Sequence, residues 1–118
     1  MCDAVRVRMY NDIGPDIPLT VHCKSKNDDL GTHVVPFKGS YDFSFGLHLL
    51  GRTQFWCRFE WLAVFRYFDI YVQDRDEGGC DECTWRIAPT GPCRLNPEYN
   101  SYNICYYWNK DVPTAFAP

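Results

Sequence analysis

The chain has 118 residues and a formal charge of −3, with hydrophobic residues at 46% and aromatic residues at 17% of its positions. This length is typical of one domain, and so high an apolar content excludes a disordered segment. No apolar run reaches the roughly 18 residues that span a bilayer, and the slightly acidic balance excludes a nucleic-acid binder that depends on bulk positive charge. We therefore expect no membrane insertion and no nucleic-acid partner.

Apolar and polar residues alternate with a period of two along most of the chain, which is typical of strands with one buried face. The alternation predicts strands over residues 5–10, 19–24, 32–37, 41–49, 54–61, 68–73, 85–87 and 102–108. Turn residues separate these segments, and no helical spacing of apolar residues persists. The pattern predicts an all-β fold, an antiparallel sandwich of about seven or eight short strands. We expect one domain over residues 1–118, with a core from about 4 to 110 and a loose tail over 111–118.

The apolar faces of these strands predict the residues of the hydrophobic core. They are Val7, Leu19, Val21, Phe43, Phe45, Phe55, Phe59, Trp61, Phe68, Ile70, Trp85 and Ile87.

Seven cysteines in so short a chain indicate a disulfide-bridged domain from an oxidising compartment. The chain begins Met-Cys-Asp-Ala without an apolar leader, so we expect a mature secreted form, the alternative being a cytosolic protein with free thiols. Cys23 and Cys57 both fall on apolar strand faces, which predicts a bridge across the core. Six cysteines allow 15 pairings in principle, and Cys2 is left over as a free thiol.

The motif Cys80-Asp-Glu-Cys83 has three interpretations. A tight turn between strands would bring both sulfurs within bridging distance at a hairpin tip. A redox-active pair is disfavoured because the intervening acidic residues would raise the thiol pKa values. A zinc site would need a second close pair of ligands, which the sequence does not offer. We therefore expect a structural disulfide.

Residues 74–82 are strongly acidic. Five carboxylates and one guanidinium leave a net charge of −4, whereas the whole chain carries −3. A charged loop can attract a partner of opposite charge, although a solvated turn is an equally simple explanation. We predict partner binding by this loop, with the turn at Asn27, Asp28 and Asp29 as a second segment. The loop residues concerned are Asp74, Arg75, Asp76, Glu77, Asp81 and Glu82.

No known catalytic arrangement stands out. His22, His33 and His48 are more simply surface histidines than general bases, and nothing fixes the separation of Glu60 and Asp69 as a glycosidase pair. Sequence motifs for a nucleophilic serine or a phosphate-binding loop are absent. We expect neither an enzyme nor a cofactor nor a metal.

Several segments, taken together and in order, resemble the plant self-incompatibility protein family, represented by the stigma S-proteins of poppy. The first is Val21-His-Cys-Lys-Ser-Lys-Asn-Asp-Asp-Leu-Gly31, followed by Phe55-Trp-Cys-Arg-Phe-Glu-Trp61 and Phe68-Asp-Ile-Tyr71. Cys80 and Cys83 before Trp85-Arg-Ile87 continue the likeness, as do Gly91-Pro-Cys93 and Asn103-Ile-Cys-Tyr-Tyr-Trp108. The resemblance covers residues from about 4 to 108.

This resemblance implies a small secreted all-β protein that signals without catalysis. Cys93 and Cys105 occur together in the longer family members, which implies the third disulfide. Poppy members act as pistil ligands for a receptor of the pollen plasma membrane, so we expect a cell-surface receptor as partner and a monomeric ligand. The alternative is a module that binds a small molecule, carbohydrate or lipid through exposed aromatic residues, for which Trp56, Tyr71 and Tyr10 are the candidates.

Overall fold

A computed structural model of the chain describes residues 4–47 and 52–116. Within these ranges it contains nine strands, one short α-helix and one 3₁₀ turn. The strands are β1 Ala4–Asn11, β2 Leu19–Lys24, β3 Asp29–Val35, β4 Ser40–Gly46, β5 Gln54–Trp61, β6 Val64–Val72, β7 Glu82–Ala88, β8 Gly91–Asn96 and β9 Ser101–Cys105. The α-helix α1 is Gln73–Asp76, and the 3₁₀ turn is Thr114–Phe116. In the described part of the chain no helix is long and apolar enough to cross a bilayer.

The strands form two sheets, as the all-β prediction requires. One sheet has the order β4-β1-β7-β8-β9 and the other the order β3-β2-β5-β6. All pairs are antiparallel except β1 with β7, which run parallel with Arg6 opposite Glu82. The parallel pair differs from the purely antiparallel prediction, and it arises because the chain crosses from β6 in one sheet to β7 in the other.

Several elements differ from the alternation pattern. Strands β3, β6 and β7 begin at Asp29, Val64 and Glu82, three or four residues before the predicted starts. Strand β8 was not predicted, because Gly91-Pro-Cys-Arg-Leu-Asn96 does not alternate and its first two residues are both buried. Strand β9 ends at Cys105, whereas the pattern extends to residue 108. Beyond it, the Tyr106 amide donates to the Pro92 carbonyl and the Trp108 indole to the Pro89 carbonyl. These aromatic residues therefore continue an apolar pattern without continuing the strand.

The predicted core is largely confirmed. Ten of its twelve residues are buried, and Phe43 and Phe45 are half-buried because β4 is an edge strand. Their rings still contact the Phe55 ring, with centroids 4.9 and 4.7 Å apart. The predicted positions His48 and Cys2 lie outside the described residues.

Three disulfides join Cys23 to Cys57, Cys80 to Cys83 and Cys93 to Cys105, which are the predicted pairs. The placement of two of them differs from expectation. Cys23 and Cys57 lie directly opposite each other on β2 and β5, so their bridge links neighbouring strands of one sheet and does not cross the core between sheets. Cys80 and Cys83 close no hairpin, because they lie where the chain enters β7 from the other sheet.

The C-terminal segment, for which a loose tail is predicted over 111–118, is packed as far as Phe116. The Lys24 ammonium donates to the Ala115 carbonyl at 3.2 Å. The Phe116 ring lies 5.3 Å from the His22 ring and 5.5 Å from the Tyr67 ring. Upstream, the Asn109 amide donates to the Tyr67 carbonyl. We call residues 109–116 the C-terminal strap, because this segment lies across the outer face of β2, β5 and β6.

Candidate functional site

The acidic segment connects the two sheets, and we call residues 73–82 the acidic connection. It begins with α1, in which the Glu77 amide donates to the Gln73 carbonyl. Its other end is held where the Arg6 amide of β1 donates to the Asp81 carbonyl at 2.8 Å. The Cys80–Cys83 disulfide fastens this end to β7. The segment is therefore a fixed crossing between sheets, where the sequence predicts a hairpin loop.

Asp76 is completely buried, which corrects its prediction as a partner-binding residue. Its carboxylate accepts hydrogen bonds from the Arg75 guanidinium at 2.8 and 2.7 Å and from the Val72 amide at 2.9 Å. Its carbonyl accepts from the amides of Gly79 and Cys80. These hydrogen bonds fix the backbone conformation of the acidic connection. The Asp76 carboxylate is not accessible to a partner in this conformation.

Arg75 is also a structural residue. Its guanidinium carbon lies 4.9 Å from the centroid of the Tyr106 ring, 5.2 Å from that of Phe68 and 5.5 Å from that of Trp85. Stacking of a planar guanidinium on aromatic rings is favourable, and the bidentate pair with Asp76 fixes its orientation. Arg75 therefore anchors the acidic connection to the core and offers little to a partner.

Four carboxylates of the acidic connection remain exposed, those of Asp74, Glu77, Asp81 and Glu82. Because Asp76 and Arg75 neutralise each other, these four supply the whole −4 of the segment, and the rest of the chain sums to −3 − (−4) = +1. Charges on exposed side chains create the potential that an approaching partner meets. The predicted net charge of −4 is thus present at the surface, but it is carried by four of the six predicted residues.

The second predicted segment is the turn between β2 and β3. The Ser25 hydroxyl accepts hydrogen bonds from the amides of Asn27 and Asp28, which are both exposed. The Asp29 carboxylate accepts from the Gly31 amide at 2.9 Å and contacts the His22 ring at 2.6 Å. These two hydrogen bonds, chiefly that of Gly31, lower the pKa of Asp29. The turn is held by its own side chains and presents Asn27 and Asp28 outward.

Strand register places the two segments at the same end of the sandwich. Lys24, where β2 ends, pairs with Trp56, while Val72, where β6 ends, pairs with Gln54. The segments that follow β2 and β6 therefore both leave the sheet beside the start of β5, one on each side of this strand. The two predicted segments thus belong to one end of the molecule, a relation that the sequence does not contain.

The aromatic residues predicted for the alternative function have different positions. Tyr71 is completely buried, so it cannot bind a ligand at the surface, and burial, with smaller effects of neighbouring carboxylates, raises its pKa to about 12. Its position departs from simple alternation because Ile70 and Tyr71 are both buried at the end of β6. Trp56 and Tyr10 are half-buried on outer faces of the two sheets.

The structure does not bring together the candidate catalytic residues that lie within the described part of the chain. Glu60 faces Phe65 across the sheet, and Asp69 comes four residues later on β6, which separates the backbone positions of the two residues by about 13 Å along the strand. Glycosidase pairs are closer, about 5–9.5 Å. The His33 ring is bonded to the Leu30 carbonyl and stacked on Tyr41. Within residues 4–47 and 52–116, no three metal-ligating side chains come together.

Comparison with known proteins gives one consistent family. Residues 6–108 match the family described as plant self-incompatibility protein S1. The chain is 51% identical over 105 residues to S-protein homolog 5 of Arabidopsis thaliana, covering 89% of this chain and 78% of that protein. It is 43% identical over 111 residues to S-protein homolog 2 of the same plant, covering 90% and 69%.

The fold is similar to a solved structure of self-incompatibility protein homologues, described as a widespread family of small, highly stable, secreted proteins from plants. The TM-score is 0.61 at 18% sequence identity, with 95% of this chain and 90% of that chain covered. The two-sheet architecture is therefore shared with that structure.

Proposed function

The chain is a secreted member of the plant self-incompatibility protein S1 family, and we propose that it is a signalling ligand that binds a cell-surface receptor through the end of the sandwich bearing the acidic connection. We propose further that its role is that of the poppy determinants, so that a plasma-membrane receptor of the pollen type recognises this protein. We propose that the protein acts as a monomer and without catalysis.

One observation supports this proposal above the others, the display of four exposed carboxylates on a rigid crossing between sheets. Asp76, Arg75 and the Cys80–Cys83 bridge hold the backbone, so the charges occupy defined positions before binding. Preorganised binding surfaces lose less conformational entropy on association. Complementary charge also raises the association rate, and salt weakens this effect because it screens the attraction. A receptor surface rich in Lys and Arg is the partner that fits.

The test compares two variants with the same change of net charge. The double variant Asp74→Asn with Glu77→Gln removes two charges from the acidic connection. The control Asp16→Asn with Asp111→Asn removes two exposed carboxylates outside it. Labelled protein is bound to plasma-membrane vesicles from pollen, at low and at high salt, and vesicles treated with protease define the part of binding that requires a protein.

We expect the acidic-connection variant to associate several-fold more slowly at low salt, with the difference shrinking at high salt, while the control behaves like the parent. Two results would contradict the proposal: equal association rates for the parent and both variants at low salt, or binding that survives protease treatment of the vesicles.

A further inference from the structure

Trp56 lies on the outer face of the β3-β2-β5-β6 sheet, opposite Lys24 and next to the C-terminal strap. Its surroundings differ from those of the other tryptophans. Trp85 and Trp61 are buried in the core, and the Trp108 ring packs on Phe59 with centroids 5.4 Å apart. The half-buried Trp56 instead borders two surface clefts, one toward β2 and one toward β6.

The first cleft, of about 490 Å³, lies between Trp56, the β2–β3 turn and the strap residues Thr114 and Ala115. The second, of about 440 Å³, lies between Trp56, Asp69 and residues 109–114 of the strap. Each volume falls in the range of about 300–1,000 Å³ that is typical of small-ligand sites. Since both clefts share the indole, a chain-like ligand could run from one to the other across it.

The walls of these clefts are held in place before any ligand binds. The Asn109 amide side chain donates to Asp69 at 2.8 Å, and Gln54 donates to the other carboxylate oxygen of Asp69 at 3.1 Å. At the far end, Lys24 is bonded to the Ala115 carbonyl and lies 4.8 Å from the centroid of the Phe116 ring. The strap is thus fastened on both sides of Trp56, and the clefts need no rearrangement to form.

The charges lining the clefts nearly cancel. They are those of three lysines and four aspartates, a sum of −1, contributed by Lys24, Lys26, Lys110, Asp28, Asp29, Asp69 and Asp111. Asp69 and Asp29 already accept two hydrogen bonds each. Asn27, Asp28 and Asp111 stay exposed as polar groups at the rim. The clefts have too little net charge to attract a strongly charged ligand. Their polar side chains include both hydrogen-bond donors and acceptors, which suits the hydroxyl groups of a neutral ligand.

We propose that the Trp56 clefts bind a linear neutral saccharide, one sugar ring lying on the indole and its neighbours entering the two clefts. An indole offers a flat apolar surface to the C–H face of a pyranose ring, and the rim groups satisfy its hydroxyls. The four exposed carboxylates of the acidic connection do not line these clefts, although the β2–β3 turn, which lines the first cleft, lies at the same end of the sandwich as the proposed receptor surface.

The test uses cellohexaose, a neutral flat-faced hexasaccharide, and measures its dissociation constant by calorimetry. Trp56→Ala is compared with Tyr107→Ala, which truncates an aromatic residue that is 93% exposed elsewhere. Asp28→Ala with Asp111→Ala, at exposed rim positions, is the second variant if Trp56→Ala fails to fold. A hexamer of galacturonate serves as the anionic arm, and thermal melting checks that each variant is folded.

We expect saturable binding of cellohexaose by the parent and by Tyr107→Ala, binding at least tenfold weaker in Trp56→Ala and at least threefold weaker in the rim variant. Tryptophan fluorescence of the parent should shift on binding. The proposal is overturned if the parent does not bind cellohexaose at millimolar concentration, if neither the Trp56 nor the rim variant is weakened, or if the galacturonate hexamer binds more tightly than cellohexaose.

Discussion

Asp74 and Asp76 stand two positions apart in the same acidic segment and do opposite things. Asp74 is exposed, while Asp76 is completely buried with its carboxylate bonded to Arg75 and to the Val72 amide. The reason is local geometry: α1 turns the chain so that one carboxylate points into the crossing between sheets. Net charge counted along the sequence cannot separate these roles.

This contrast predicts different effects on stability. Asp76→Ala should lower the free energy of unfolding by about 3 kcal/mol, because it removes one partner of a buried ion pair and leaves the Val72 amide unsatisfied. Asp74→Ala should change it by less than about 0.5 kcal/mol, as for ordinary surface positions. Urea unfolding with the disulfides intact measures both. Equal effects of the two substitutions would contradict the structural role of Asp76.

Tyr71 gives a prediction at alkaline pH. Burial raises its pKa to about 12 in the folded state, against about 10 in an unfolded chain. The unfolded state therefore loses its proton first, so the contribution of Tyr71 to stability is complete below pH 10 and is lost as pH rises from 10 to 12.

The substitution Tyr71→Phe should remove this part of the alkaline loss of stability. At pH 7 it should leave the protein as stable or more stable, because the buried hydroxyl has no hydrogen-bond partner among residues 4–47 and 52–116. Unfolding midpoints at pH 7, 9, 10.5 and 11.5 test it, with Tyr107→Phe as the exposed control. An unchanged alkaline slope in Tyr71→Phe would show that other groups cause the loss.

At the scale of elements, alternation located strands that have one buried and one exposed face. It missed β8, whose residues are partly covered on both sides, and it extended β9 into the aromatic residues that leave the sheet. The burial of Tyr71 at the end of β6 also breaks the pattern. The differences at the end of β6 and beyond β9 occur where the chain leaves a sheet, because there the neighbours that cover a side chain come from distant segments.

The turn from β7 to β8 depends on Gly91. Its φ is +141°, and a Cβ there would lie 2.5 Å from the Tyr106 carbonyl oxygen. Gly91→Ala should therefore cost about 2–4 kcal/mol through backbone strain and this overlap. Gly46→Ala is the control, because a Cβ at Gly46 meets nothing within 4 Å. Denaturant unfolding should show little change for the control; a Gly91→Ala protein as stable as the parent would be inconsistent with this turn.

At the scale of the whole molecule, three disulfides close loops of very different length. The sequence separations are 34 for Cys23–Cys57, 12 for Cys93–Cys105 and 3 for Cys80–Cys83. Loop-closure entropy then predicts losses of about 4, 3 and 1.5 kcal/mol in that order when each pair is replaced by alanine. Chemical unfolding of the three double variants tests the ranking. Greatest destabilisation from loss of the Cys80–Cys83 pair would mean that folded-state packing, and not chain entropy, dominates.

The sequence by itself determined the all-β class, most of the core and the family, because alternation, cysteine content and ordered short motifs are local properties of the chain. Tertiary structure decided which carboxylates are exposed, that β1 and β7 run parallel, and that the acidic connection and the Asn27 turn leave the same end of the sandwich. It also brought the C-terminal strap next to Trp56. These relations depend on pairing between segments far apart in sequence, and the register of such pairs is set by packing of the complete fold.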